Sequence, residues 1–103
     1  MSAEILIIDD NSDIRTILDE LISDAGYKTR LAANFNQALS EIDKKLPDVA
    51  IIDVKLDKGD NDGIQLLDHI KKKNNEIPVI MISGHANIEM AVNSLKSGAF
   101  EFI

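Results

Sequence analysis

The chain has 103 residues, enough for one small domain, and its 18 acidic against 11 basic residues give a formal net charge of −7. An acidic surface repels phosphate backbones, so the charge argues against direct binding of DNA or RNA by this segment. The absence of cysteine excludes disulfides and thiolate metal sites. No apolar run approaches the roughly 20 residues that span a bilayer, and no signal peptide is evident. We therefore expect a cytoplasmic protein without membrane contact.

Five short segments have the character of β-strands. Residues 5–8, 49–52 and 79–82 are continuous apolar runs without polar alternation, which is typical of strands buried on both faces. Residues 27–31 alternate between apolar and polar side chains, which predicts a half-exposed strand near a sheet edge. Residues 100–103 predict a fifth strand.

The segments between these strands have helical periodicity. Asn11 or Ser12 can cap the first helix, Asn34 the second and Asn87 the fourth. The apolar stripes are Ile14, Ile17, Leu18, Leu21, Ile22 and Ala25 in the first helix, Phe35, Ala38, Leu39 and Ile42 in the second, Ile64, Leu66, Leu67 and Ile70 in the third, and Ile88, Ala91, Val92 and Leu95 in the fourth.

The order of elements, βα four times and then β, predicts the fold class. Right-handed crossovers turn this order into an α/β fold with a doubly wound, parallel, five-stranded sheet. We expect the flavodoxin-like strand order 2-1-3-4-5, with no helix after the fifth strand.

Polar residues end three of the predicted strands. Asp9 and Asp10 follow the first strand, Asp53 the third and Ser83 the fourth. Because parallel strands end at one edge of the sheet, these side chains should line one crevice. Three neighbouring carboxylates repel one another unless a cation lies among them. Oxygen ligands without His or Cys favour Mg²⁺, Mn²⁺ or Ca²⁺. A single Asp after a strand is as often a turn or helix cap as it is a functional residue. Three acids and Ser83, each at a strand end, favour a cation site.

Enzymes on related folds need motifs that the chain does not have. A haloacid-dehalogenase-type phosphatase would need Asp-x-Asp after the first strand, and a dinucleotide-binding fold would need G-x-G-x-x-G. A flavodoxin would need a phosphate-binding loop where this chain has Asp9 and Asp10. The acids at 57, 60 and 62 do not have EF-hand spacing and are interpreted as a solvated loop. His69 is interpreted as a surface residue and His85 as a loop residue.

The residues named above resemble receiver domains of two-component response regulators over the whole chain. The matching positions are Asp9-Asp10, Asp53, Asp62-Gly63, Ser83 and Gly98-Ala99-Phe100. Residues 82–85 together with 91–92 and 98–103 resemble the receivers fused to AAA+ transcription activators. The loop from Asp53 to Asp62 is about two residues longer than usual, as in the NtrX-type nitrogen-assimilation regulators.

The resemblance implies a phosphorylation site. Asp53 would accept a phosphoryl group from a phosphohistidine of a sensor histidine kinase, with Mg²⁺, or alternatively Mn²⁺, as cofactor. Asp10 and Asp53 would bind the cation directly, Asp9 through water, and Lys55 through its backbone carbonyl. The domain would act as a regulatory module, with enzyme-like chemistry limited to its own phosphorylation and dephosphorylation.

The resemblance also implies a switch. Ser83 would donate a hydrogen bond to the phosphoryl group, Phe102 would be the aromatic switch residue, and Lys55 and His85 would tune the lifetime of the phosphorylated state. Phosphorylation would change the face formed by residues 88–103 and so regulate a transcription-activator output. The alternative is a constitutive, non-phosphorylated interaction module on the same fold.

The end of the sequence departs from the family pattern. Receivers carry a lysine shortly after the fifth strand and then a fifth helix, and neither follows within the 103 residues. We therefore expect residues 1–103 to be a receiver domain truncated after the fifth strand, slowly phosphorylated and forming a homodimer. The parent protein would add ATPase and DNA-binding domains.

Overall fold

A computed structural model describes residues 3–57, 59, 62–82 and 98–103, with residues 101 and 102 described for the backbone. Its elements, in chain order, are β1 (Glu4–Ile8), α1 (Ser12–Asp24), β2 (Lys28–Ala32), α2 (Phe35–Lys44), β3 (Val49–Asp53), α3 (Asp62–Lys73), β4 (Val79–Ile82) and β5 (Glu101–Phe102). The predicted fourth helix falls outside the described residues. None of the described helices is both long enough and apolar enough to cross a bilayer.

The five strands form one parallel sheet in the order β2-β1-β3-β4-β5, which confirms the predicted fold class. In this register Ile8 lies opposite both Ala32 and Ile52, and Asp53 lies opposite Ile82. The carboxyl ends of β1, β3 and β4 therefore reach the same edge of the sheet. Whatever follows these three strands begins at that edge.

The caps of the first two helices are those that the sequence predicts. Asn11 Oδ1 accepts hydrogen bonds from the backbone N–H groups of Asp13 and Ile14, at 2.9 and 3.1 Å. Asn34 Oδ1 accepts one from Gln37 N at 2.8 Å. Each side chain satisfies N–H groups that the first turn of a helix leaves without an intrahelical partner. α1 therefore begins directly after the two acids that follow β1.

One face of the sheet carries a well-packed aliphatic core. Alternate strand residues point to this face because side chains in a strand alternate in direction. They pack against α2 and α3 in a cluster that includes Leu6, Ile8, Ala50, Ile52 and Met81 from the strands and Ala38, Ile42, Leu66, Leu67 and Ile70 from the helices. The predicted stripes of these two helices thus face the core, apart from Ile64, which is half-buried and outside the cluster.

Among the residues that the structure describes, the opposite face is covered more sparsely. α1 packs on β1 and β2, and all of α1 is described, yet none of its residues is buried. Ile14, Ile17 and Leu21 of the predicted stripe are exposed, whereas Leu18 and Ile22 are half-buried. The helix predicted from this stripe is confirmed, but only part of the stripe is turned towards the sheet. Residues along a helix are rotated by about 100° from one to the next, and Ile14, Ile17 and Leu21 lie on the flank of α1.

Candidate metal site at the carboxyl end of the sheet

Three carboxylates meet where β1 and β3 end. Asp9 and Asp10 follow the last residue of β1, and Asp53 is the last residue of β3. Because Ile8 and Ile52 are register partners, the residues after them are neighbours. One oxygen from each of Asp9, Asp10 and Asp53 lies within 4.8 Å of the others. The strand register thus brings together the two chain segments that carry the cluster.

The turn between β1 and α1 holds Asp9 in place. Asp9 is 2% exposed, and its Oδ1 accepts a hydrogen bond from Asn11 N at 2.9 Å. Its own N–H donates to Ala32 O at 3.2 Å. Arg15 Nη1 donates to the carbonyl oxygen of Asp9 at 2.7 Å. Asp9 is therefore fixed by its neighbours on both β2 and α1.

The backbone after β3 holds Asp53. Val54 N donates to Ile82 O at 3.0 Å, so the chain stays on the sheet for one residue beyond β3. Lys55 N then donates to Asp53 Oδ1 at 3.2 Å. The backbone of the segment that follows the strand thus orients the carboxylate.

The first turn of α3 closes against the backbone of Asp53. Gly63 N donates to Val54 O at 2.9 Å. A methyl group at position 63 would lie 2.7 Å from Val54 Cα and closer still to the carbonyl oxygen of Asp53. Only glycine permits this close approach, and it keeps α3 against the end of β3.

Burial and the charges of neighbouring acids raise the pKa values of Asp9 and Asp53. Burial is the largest cause that raises the pKa of Asp53 to about 6, and the charges of Asp9 and Asp10 add to it, against the hydrogen bond from Lys55. Burial also raises the pKa of Asp9, as does the charge of Asp10, while the hydrogen bond from Asn11 and the charge of Arg15 oppose the shift. A cation between the carboxylates would relieve this repulsion.

The donor set suits a hard cation. In the part of the chain that the structure describes, the cluster contributes three carboxylates and neither His nor Cys. Oxygen ligands of this kind match the preferences of divalent cations such as Mg²⁺. The residues present therefore fit a metal ion at this edge of the sheet.

The structure describes only some of the remaining predicted site residues. Lys55 is exposed and lies two residues after Asp53. Ser83 and His85 lie outside the described residues. The backbone of Phe102 lies beside Met81 in β5, which puts residue 102 on the strand next to β4. Of the face formed by residues 88–103, the structure describes residues 98–103.

Two predictions about surface residues have different outcomes. His69 is on α3 and is not part of the three-carboxylate cluster. Its Nε2 is 2.8 Å from Asp43 Oδ1 of α2. The interpretation of Asp62 as a solvated loop acid is wrong, because it is 3% exposed. Its Oδ2 accepts a hydrogen bond from Gly59 N at 3.0 Å, so Asp62 stabilises the start of α3.

Two further contacts near the site were not predicted from the sequence. Arg15 reaches back six residues to the carbonyl oxygen of Asp9. Asp57 accepts a hydrogen bond from Phe35 N, 22 residues earlier in the chain. A basic residue in the first turn after the two acids was a usable signal for Arg15. No sequence pattern indicates the contact between Asp57 and Phe35, which depends on tertiary structure.

Comparison with known proteins identifies the family. The family described as the response regulator receiver domain matches residues 5–103, almost the whole chain. The chain belongs to the response regulator receiver domains. Receiver domains are regulatory, which agrees with the interpretation of the sequence as a regulatory module.

Similar proteins and solved structures come from several organisms. The nitrogen assimilation regulatory protein NtrX of Azorhizobium caulinodans is 44% identical over 103 residues, which cover 100% of this chain and 23% of that protein. The crystal structure of NtrX from Brucella abortus matches with a TM-score of 0.89 at 45% identity, over 100% of this chain and 23% of that one. A CheY-like receiver domain protein from Methanospirillum hungatei matches with a TM-score of 0.92 at 30% identity, over 100% and 81%.

These matches show an NtrX-type receiver with the CheY-like fold. The chain spans 23% of the length of the A. caulinodans NtrX and 21% of an NtrX-like response regulator of Rickettsia bellii. The similarity to these longer proteins is thus confined to one region of each.

Proposed function

We propose that this receiver is a phosphorylation-controlled switch. Asp53 accepts a phosphoryl group from a phosphohistidine of a sensor histidine kinase, with Mg²⁺ as cofactor. The face formed by residues 88–103 then changes and regulates a transcription-activator output. The observation that carries this proposal is the meeting of Asp9, Asp10 and Asp53 within 4.8 Å.

Asp10 and Asp53 would bind Mg²⁺ directly, Asp9 through water, and Lys55 through its backbone carbonyl. Mn²⁺ has similar ligand preferences and would substitute. When bound, the cation offsets negative charge shared by the carboxylates and the phosphoryl oxygens. Its preference for carboxylate oxygen agrees with the donor set. The pKa of Asp53 is raised first by burial and then by the charges of Asp9 and Asp10, and the cation would relieve this repulsion.

The chain itself supplies the nucleophile and its orientation. An oxygen of Asp53 forms the new bond to phosphorus while the bond between phosphorus and the histidine nitrogen breaks, so the phosphoryl group passes from one protein to the other. The hydrogen bond from Lys55 N holds the Asp53 carboxylate, and the close approach of Gly63 holds its backbone. Both contacts reduce the reorganisation needed for attack.

Further parts of the proposal concern the response. Ser83 would donate a hydrogen bond to the phosphoryl group, Phe102 would rotate as the aromatic switch residue, and Lys55 and His85 would set the lifetime of the phosphorylated state. The sensor kinase and a second copy of the domain are the proposed partners. In a parent protein like NtrX, ATPase and DNA-binding domains would receive the signal. That residues 1–103 form a single receiver domain stays a prediction.

The test uses a small phosphodonor in place of the kinase. Intact mass after incubation with acetyl phosphate and Mg²⁺ should show one phosphoryl adduct, which a chelator prevents. Asp53→Asn should abolish the adduct because it removes the nucleophile. Asp68→Asn is the matched control, since Asp68 is an exposed acid on α3, and it should keep the adduct.

Two outcomes would contradict the proposal. An adduct that survives Asp53→Asn would place the nucleophile elsewhere. A wild-type protein that forms no adduct at saturating Mg²⁺ would favour the constitutive interaction module instead.

A further inference from the structure

The segment after β3 is attached to the beginning of α2. Asp57 Oδ1 accepts a hydrogen bond from Phe35 N, the first residue of α2, at 3.0 Å. Asn34, the local cap, accepts instead from Gln37 N at 2.8 Å. The first turn of α2 therefore has two caps that serve different N–H groups, one from its own sequence and one from 22 residues away.

The same segment orients the carboxylate of Asp53. Lys55 N donates to Asp53 Oδ1 at 3.2 Å. On either side of Lys55, the side chains of Val54 and Leu56 are buried in the core. Asp57 comes next and holds the segment at α2. The Lys55 amide that contacts Asp53 therefore lies between two residues anchored in the core, and Asp57 beyond them attaches the segment to a different element, α2.

We infer that Asp57 is a positioning residue for the cation and phosphorylation site. It holds the segment of residues 54–57 against the N-terminus of α2, and so keeps the Lys55 N–H directed at the Asp53 carboxylate. Asp57 itself does not ligate the cation, and it acts through the backbone. This inference rests on the proposed function, because its consequence is the affinity of the carboxylate cluster for Mg²⁺.

The experiment compares two substitutions that each remove one cap from α2. Asp57→Ala and Asn34→Ala should both lower the melting temperature by roughly 4–8 °C. Calorimetric titration with Mg²⁺ should then distinguish the two variants by their affinity for the cation. Asp57→Ala should weaken Mg²⁺ binding by roughly tenfold, the low end for loss of a group that supports metal ligands. Asn34→Ala should leave the affinity within about twofold of wild type, because it leaves the Asp57 anchor in place.

Asp57→Asn tests whether the effect of Asp57 comes from its hydrogen bond with Phe35 N or from its negative charge. It removes the same negative charge as Asp57→Ala but keeps an oxygen that can accept the hydrogen bond from Phe35 N. It should therefore bind Mg²⁺ within about threefold of wild type. The rate of adduct formation with acetyl phosphate should follow the same order as the affinities.

Three results would overturn the assignment of Asp57. Wild-type affinity in Asp57→Ala would show that the anchor is not needed. Equal weakening in Asn34→Ala would trace the effect to the stability of α2, and equal weakening in Asp57→Asn would trace it to charge. If wild type itself binds no Mg²⁺, the proposed function fails and the inference fails with it, which the wild-type titration shows separately.

Discussion

At the scale of single residues, the position of Asp53 makes its ionised form less favourable than it would be in water. Burial and the neighbouring acids raise its pKa from 3.8 to about 6. The folded protein therefore binds this proton more tightly than the unfolded chain does. Protonation of Asp53 therefore stabilises the folded state. This stabilisation is fully present below pH 3.8 and is lost as the pH rises through about 6. Near pH 7 the metal-free site destabilises the fold.

Asp53→Asn should therefore stabilise the metal-free protein at pH 7. We expect a gain of about 1–2 kcal/mol in the free energy of unfolding, less than the full equivalent of the pKa shift because the carboxyl is partly exposed. The gain should shrink toward zero as the pH falls to 4. Urea unfolding between pH 4 and 7.5 with a chelator measures it. A gain that is constant across this range would contradict the argument.

At this scale the sequence predicts the three acids of the site, but it does not predict the contacts that surround them. Asp9, Asp10 and Asp53 end apolar runs, and parallel strands bring such ends together. The burial of Asp62 and the contact between Asp57 and Phe35 depend on how the segment after β3 folds over α2. Nothing in the local sequence separates these two acids from ordinary loop residues, so the sequence predicts that both are solvated.

At the scale of elements, the three helices that the structure describes cover the two faces of the sheet unequally. α2 and α3 bury their apolar stripes, whereas α1 leaves a flank exposed. All three helices have the same kind of periodicity in the sequence, so the pattern predicts a helix equally well in each case. The pattern does not say which elements will cover the stripe. For this reason the sequence predicts the order of the described elements correctly, whereas it does not predict how far α1 is buried.

A pair of identical substitutions tests this difference. Leu67 on α3 is 0% exposed and Leu21 on α1 is 63% exposed. Leu67→Ala should cost about 2–5 kcal/mol, because it leaves a cavity in the core. Leu21→Ala should change stability by less than about 0.5 kcal/mol.

Urea unfolding of the two variants at several protein concentrations provides the measurement. A large cost for Leu21→Ala would show that the flank of α1 is covered in solution. If that cost also grew with protein concentration, a second copy of the chain would be what covers it.

At the scale of the whole molecule, the chain has a net charge of −7 and gathers three carboxylates at one end of its sheet. The fold brings these charges together although they repel one another, and a cation would remove the repulsion. A ligand that binds the folded state alone also stabilises that state. The central claim is therefore that this end of the sheet binds a divalent cation.

Titration of isotopically labelled protein with Mg²⁺, followed by the NMR shift of each amide, tests this claim most directly. We expect saturable shifts centred on residues 9–11 and 53–55, which Asp10→Asn should abolish. Weak shifts that never saturate and spread over exposed acids such as Asp43 and Asp48 would contradict it.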